Sequence, residues 1–215
     1  PSPRTRGEGV RRVRGNPMPL LALEKISKRF GAIVVADGVN LALGEGEALG
    51  IIGPNGAGKT TLFGIATGTV RPDGGRVLFD GEDITALPPE RRCRKGLARS
   101  FQIPQPFAGM TVFENVVVAA AFGADEREAA VYDRCADLLA RCGLAAKANL
   151  RAGGLTLLDR KRLELARALA TKPRVLLLDE VAGGLTEHEC TALVALKDFA
   201  RKRTPDSSAA LIGPM

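Results

Sequence analysis

Residues 53–60 read GPNGAGKT, between an apolar run from Ala48 to Ile52 and the stretch Thr61, Leu62, Phe63, Gly64 and Ile65. This is the G-x-x-x-x-G-K-[ST] spacing in the setting its chemistry requires: a buried strand, a glycine-rich turn, then a helix. Gly53, Gly56 and Gly58 let the backbone curl until successive N–H groups point into one concavity. The helix that opens there adds unpaired donors and its positive dipole end. Such a cradle suits a polyphosphate. Lys59 can reach β- and γ-phosphates, and the Thr60 hydroxyl can hold a Mg²⁺ that bridges them. The candidate binding loop is therefore Gly53, Pro54, Asn55, Gly56, Ala57, Gly58, Lys59, Thr60 and Thr61.

A second landmark lies at residues 174–180, RVLLLDE. Val175 to Leu178 is the continuous apolar run of a strand buried on both faces, and it ends in two carboxylates. Ligands of open α/β sheets gather beyond the carboxyl ends of strands. Asp179 is accordingly expected to meet the metal beside Thr60, and Glu180, one residue further out, to orient or deprotonate a water.

The 215 residues can bury a full core, and the scarcity of aromatics and absence of Trp leave Leu, Val, Ile and Ala to build it. That suits a sheet covered by helices. The formal charge is +7, but residues 1–14 carry five arginines, Arg4, Arg6, Arg11, Arg12 and Arg14, against Glu8 alone. The remainder is only mildly basic, so no nucleic-acid partner is expected. The segment up to Pro19 reads as a disordered basic arm, with Met18 a candidate start. Cys93, Cys135, Cys142 and Cys190 form no close metal pair. Cys135 and Cys142 read as one buried helix face rather than a disulfide, and reduced thiols fit a cytosolic setting. No apolar stretch is long enough to span a membrane, and the first residues given lack the apolar region expected of a signal segment.

Along the chain, Leu20 to Glu24 and Val34 to Leu43 read as strands, with a turn near Lys28 to Gly31 between them. Phe30 can be a core residue or a ring placed to stack on a purine. The helix from Lys59 ends near Gly68. A turn at Pro72 to Gly75, a strand Arg76 to Phe79 and a turn at Asp80-Gly81 follow. Pro88-Pro89 suggests a helix start, and Leu97 to Phe101 a strand ending in Gln102. The loop Ile103 to Gly109 separates this part from a helical stretch, 111–170. There Thr111 and Glu114 have capping-box spacing, Gly143 is placed to end the helix from Ala129 to Cys142, and Asp159 can cap a helix running to Ala170.

In this order, the landmarks closely resemble the ATP-binding subunit of an ABC transporter, in particular the branched-chain amino-acid importer ATPases. LARSFQIPQPFAG (97–109), MTVFENVVV (110–118) and KRLELARALAT (161–171) carry the finer likeness. The resemblance implies an α/β P-loop NTPase fold: a RecA/F1-like core sheet, an N-terminal antiparallel β subdomain and an inserted helical lobe at about 111–170, within one domain spanning 20–215. It also implies an ATPase with ATP and Mg²⁺ as cofactors. Gly53 to Thr60 match the family's Walker A, Val175 to Asp179 the Walker B strand, Glu180 the catalytic glutamate, Gln102 the residue that senses Mg²⁺ and water, and Phe30 the base-stacking aromatic. Gly184, Leu185 and Thr186 match the loop that crosses the dimer interface. Expected partners are a membrane permease and a second cassette, identical or different, with a binding protein engaged indirectly, at the cytoplasmic membrane face.

The departures are as specific as the matches. The family's signature, Leu-Ser-Gly-Gly-Gln, is represented by Leu155, Thr156, Leu157, Leu158 and Asp159. Leucines are expected to crowd a partner's γ-phosphate, and Asp159 to add like charge. Val181 replaces a proline. The family's γ-phosphate histidine would fall near Gly213 and Pro214, where there is none, and His188 lies too close to Glu180 to serve. Residues 199–215 lose the expected pattern, which a truncated or frameshifted reading frame would explain. Two other readings follow: an ATP-binding cassette with little or no hydrolysis, and a soluble ABC ATPase acting on DNA or ribosomes. The latter calls for tandem cassettes or a long coiled coil, which the chain lacks.

Overall fold

In the computed structural model, residues 19–212 are described except Asn55, Gln102, Asp125 and 180–208, with the backbone alone for residues 128, 129 and 209–212. Thus the arm of residues 1–18, Asn55, Gln102, Glu180, Val181, Gly184, Leu185, Thr186, His188, Cys190, Gly213 and Pro214 lie outside the described residues.

A run of apolar residues, buried from Leu20 to Leu23, builds the first layer. Leu21, Leu23 and Ile26 of β1 (Leu21–Phe30) are buried, and β1 pairs antiparallel with β2 (Ile33–Leu43). The strand is longer than the sequence suggests, because Lys25 takes a positive φ of 49° and the register shifts around it. The stretch Lys25 to Lys28 is thus a bulged strand, and the turn narrows to Gly31 and Ala32. β4 (Gly74–Phe79) pairs on the other side of β1. A tight turn with positive φ at Asp80 and Gly81 then returns the chain as β5 (Glu82–Asp83). The order is β2-β1-β4-β5.

The second sheet is parallel, in the order β3 (Ala48–Gly50), β8 (Ala209–Ile212), β7 (Val175–Leu178) and β6 (Leu97–Ser100). β3 is shorter than its apolar run and stands at the sheet edge, and Ile52 is almost wholly exposed where the chain leaves the sheet. β6 and β7 pair in register, and every residue of β7 is buried. β8 lies between β3 and β7, inside the stretch where the sequence shows no pattern. Four apolar residues are too few for a period to be read, and their sheet neighbours make the strand.

α1 (Lys59–Thr67) begins directly after the glycine loop and ends at Gly68, whose φ of 84° makes it a left-handed cap. α2 (Pro89–Arg94) starts with its proline in the first turn. Its Arg92 is fully buried and donates to the carbonyls of Ile65 and Ala66 at the end of α1, and to those of Thr85 and Leu87. A cation there satisfies orphan carbonyls and the negative dipole end together.

The helical stretch has a core of its own, centred on Val112, Val116, Val131, Leu139, Leu144 and Leu163. α3 (Val112–Val118) opens on the expected capping box of Thr111 and Glu114 and continues into a π-helical turn, Ala119–Gly123. α4 (Glu128–Arg141) ends in a full Schellman arrangement: Gly143 donates to Ala140 and Leu144 to Leu139, and Leu144 is completely buried. Cys135 and Cys142 are free and buried in this core, and burial pushes the Cys142 thiol up to about 12. α5 (Leu157–Ala170) is capped by Thr156, not by Asp159.

Replacing Arg92 by methionine removes its hydrogen bonds to four carbonyls, of which that of Ile65 keeps the Gly68 N–H, and we expect a loss of roughly 3 kcal/mol in urea unfolding. Arg92→Lys, which cannot reach all four, should fall between.

Candidate nucleotide site

The loop between β3 and α1 needs its glycines for different reasons. Gly56 and Gly58 have φ of 80° and 86°, which L side chains rarely adopt. A Cβ on Gly58 would stand 2.7 Å from Val35 Cγ1 and 2.8 Å from the Val35 carbonyl oxygen. β2 is thereby packed directly against the loop. Gly58 is also the left-handed N-cap of α1, and no side chain occupies the cap. The first-turn N–H groups stay directed at the loop's mouth. Lys59 is buried, and its ammonium donates to the carbonyls of Gly53 (2.7 Å) and Pro54 (2.8 Å).

Across the parallel sheet, β3 and β7 are separated only by β8, and both point their carboxyl ends the same way. The Thr60 hydroxyl therefore faces Asp179 Oδ1 at 3.5 Å, although 119 residues separate them in sequence. Asp179 is completely buried, and its other oxygen accepts from Arg99 Nη2 at 2.7 Å. Phe30 is half exposed, with Lys28 Nζ 5.2 Å from its ring centroid, so it is not a core residue. Thr61 is half-buried on α1. The structure thus brings Lys59, Thr60 and Asp179 together with the loop backbone. Asn55, Gln102 and Glu180 are expected here but lie outside the described residues.

Three residues missed by sequence reading surround the site. Arg99 is the first. The second is Glu164, buried on α5, which accepts the backbone N–H groups of Phe101 and Gln105; burial raises its carboxyl above the ordinary value even with Arg167 beside it. Arg167, the third, donates to the Gln105 carbonyl at 2.7 Å and lies over the Phe107 ring. Both ends of segment 101–105 are therefore fastened to α5. Buried charges on a helix are the available sequence signal: Glu164 falls among the apolar positions of the α5 face.

The signature-like stretch differs from expectation. Asp159 is 3% exposed and does not project outward. It exchanges hydrogen bonds with Thr156 and pairs with Lys147, with Arg162 close by. The charge is neutralised within the helical core, so only Leu157, 47% exposed, keeps the expected outward position.

A phosphate-binding loop running into a helix, aimed at a buried acidic strand end in a parallel sheet, defines a P-loop nucleotide-binding cassette. A family profile described as ABC transporter matches residues 36–183, and the chain belongs to that family as one of its ATPase subunits. The chain is 41% identical over 194 residues to the high-affinity branched-chain amino acid transport ATP-binding protein BraF of Pseudomonas aeruginosa, covering 83% of this chain and 75% of that protein. It is 39% identical over 191 residues to LivG of Escherichia coli, a protein of the same description, covering 81% and 74%. Among solved structures, the ADP conformation of an ABC-transporter cassette superposes with a TM-score of 0.78 at 30% identity, covering 91% of this chain and 81% of that one. The antiparallel sheet, the parallel sheet and the helices agree with the fold expected from the resemblance.

Burial alone would raise the Asp159 carboxyl, but Lys147, Thr156 and Arg162 together hold it below its ordinary 3.8. A depressed folded-state value stabilises above the ordinary one and is lost as pH falls through the lowered value. Asp159→Asn should therefore cost about 1–2 kcal/mol at neutral pH. In melting curves the gap to the parent should close below the ordinary value of 3.8.

Proposed function

We propose that this chain binds ATP with Mg²⁺ in the loop of residues 53–61 and hydrolyses it to power a membrane importer for branched-chain amino acids or similar solutes. The observation that carries the reading is the convergence of Lys59, Thr60 and Asp179 at one end of the parallel sheet. In it the backbone of Gly53 to Thr61 cradles the phosphates and Lys59 meets their β- and γ-oxygens. Thr60 and Asp179, with Gln102, hold the metal. Glu180 orients and deprotonates the attacking water, and Phe30, on the hairpin packed against Gly58, stacks on the base.

The donors fit Mg²⁺, which keeps several waters and shares its coordination between one or two protein oxygens and substrate phosphates. A hydroxyl and a carboxylate facing each other at 3.5 Å are such a partial set. Among the described residues no cluster of three His, Cys, Asp or Glu could enclose a metal by itself. Bound there, the ion would neutralise charge on the transferred phosphoryl group.

The partners in this reading are a permease, a second cassette and, indirectly, an external binding protein, with the chain peripheral on the cytoplasmic membrane face and no nucleic acid involved. No helix among the described residues is long and apolar enough to cross a membrane. Exposed Ile103, Phe107 and Met110 supply an apolar surface that suits a permease contact.

A second reading, nucleotide binding with little turnover, is favoured by one observation. Thr156 and Asp159 satisfy each other at the start of α5, and Leu157 stands where a glycine would admit a phosphate. In this reading the chain supplies a working loop but a poor surface for its partner's nucleotide.

Phosphate release by the purified chain with Mg²⁺ and ATP tests the first reading. Glu180→Gln and Asp179→Asn should each lower it about 100-fold or more. Tight ATP binding with negligible release, even with the permease present, would select the second. In a Glu180→Gln background, changing Leu157 and Leu158 to glycine should strengthen ATP-dependent dimerisation; unchanged dimerisation would count against leucine crowding.

A further inference from the structure

The reading above gives Arg99 no role, yet it makes the shortest described contact to the Asp179 carboxylate. β6 and β7 are parallel neighbours with Arg99 opposite Leu177. Asp179 lies two residues beyond Leu177, so it shares that face of the sheet. The offset is about 6.6 Å, within reach of an arginine side chain. Nη2 arrives 2.7 Å from Oδ2, while Oδ1 is the oxygen that faces Thr60 at 3.5 Å. The two oxygens are thereby assigned different partners.

The guanidinium is itself fixed. Its carbon lies 5.9 Å from the ring centroid of Phe63, fully buried on α1 four residues after Lys59, and 5.2 Å from that of Phe101. The Arg99 side chain is 9% exposed. A planar cation flanked by two rings cannot turn without losing both contacts. Phe101 is held in turn, because its backbone N–H is donated to Glu164.

We propose that Arg99 is a positioning residue for the metal site: it holds Oδ2 of Asp179 so that Oδ1 is presented beside Thr60. Two effects oppose each other. A cation near the site repels a divalent ion, whereas a fixed carboxylate avoids the cost of orienting it at the moment of binding. The geometry favours the second, because the guanidinium bonds the oxygen turned away from Thr60 and leaves the facing oxygen unobstructed. Outer-shell partners of metal ligands are typically worth about 10–100-fold in metal affinity. Without Arg99, the buried carboxylate would keep the long 3.5 Å contact with the Thr60 hydroxyl but lose the bond that fixes which oxygen makes it.

The inference rests on the reading of residues 53–61 as a Mg²⁺-nucleotide loop. The test is binding of a fluorescent ADP analogue to the full chain, in EDTA and across a Mg²⁺ titration, for the parent, Arg99→Gln and Arg99→Lys, with melting in EDTA to confirm folding. In EDTA the variants should bind the analogue within about twofold of the parent. The Mg²⁺ midpoint should rise about tenfold in Arg99→Gln and by a smaller factor in Arg99→Lys, whose ammonium makes one contact where the fork is planar. An unchanged midpoint in Arg99→Gln overturns the proposal, and a lowered one makes Arg99 a competitor of the metal. If Arg99→Gln does not fold, an unchanged midpoint in Arg99→Lys overturns it. A parent that binds no analogue, or binds it indifferently to Mg²⁺, overturns the loop reading itself.

Discussion

The candidate nucleotide site depends on a carboxylate that no solvent reaches. Burying the Asp179 charge costs several kcal/mol unless a counter-charge and hydrogen bonds accompany it. The protein meets that demand from two sides, with Arg99 on the neighbouring strand and Thr60 at the start of the phosphate-loop helix. The parallel sheet makes this possible. Strands running the same way deliver their carboxyl ends to one edge, so a loop leaving β3 and an acid leaving β7 meet across β8.

The same economy links the site to the helical part of the chain. Arg99 is followed closely by Phe101, whose amide is held by Glu164, and Arg167 grips Gln105 and covers Phe107. Segment 101–107 is thus suspended between the acidic strand end and α5. Leu165 and Ala168 of that helix also pack directly on Ala98, Leu176 and Leu178 of the parallel sheet, so the segment is a second tie between them. Its apolar surface, Ile103 and Phe107, faces solvent beside those fixed points.

At the start of α5 the chain has gone its own way. Where a glycine-rich turn would leave backbone donors open, Thr156 caps the helix and Asp159 folds back into a pair with Lys147. The substitution therefore does not place a stray negative charge on the surface. It converts an open helix end into a closed one, at the cost of an exposed Leu157.

Some of this was legible in the residues themselves. The glycine spacing of 53–60, the apolar run ending at Asp179, the Thr111 capping box and the glycine stops at Gly68 and Gly143 are local codes, written within a few residues and obeyed in the structure. Other features were not legible, because they depend on residues far apart in sequence. The pairing of Arg99 with Asp179, the four carbonyls gathered by Arg92, the inward turn of Asp159 and the strand at Ala209–Ile212 exist only once other elements have arrived. The sequence by itself determined where the backbone must bend, cap and bury, since those choices are made by near neighbours. Which charge answers which, and which oxygen of Asp179 is left facing Thr60, only the tertiary structure decided, because a buried ion takes its partner from whatever the sheet places beside it.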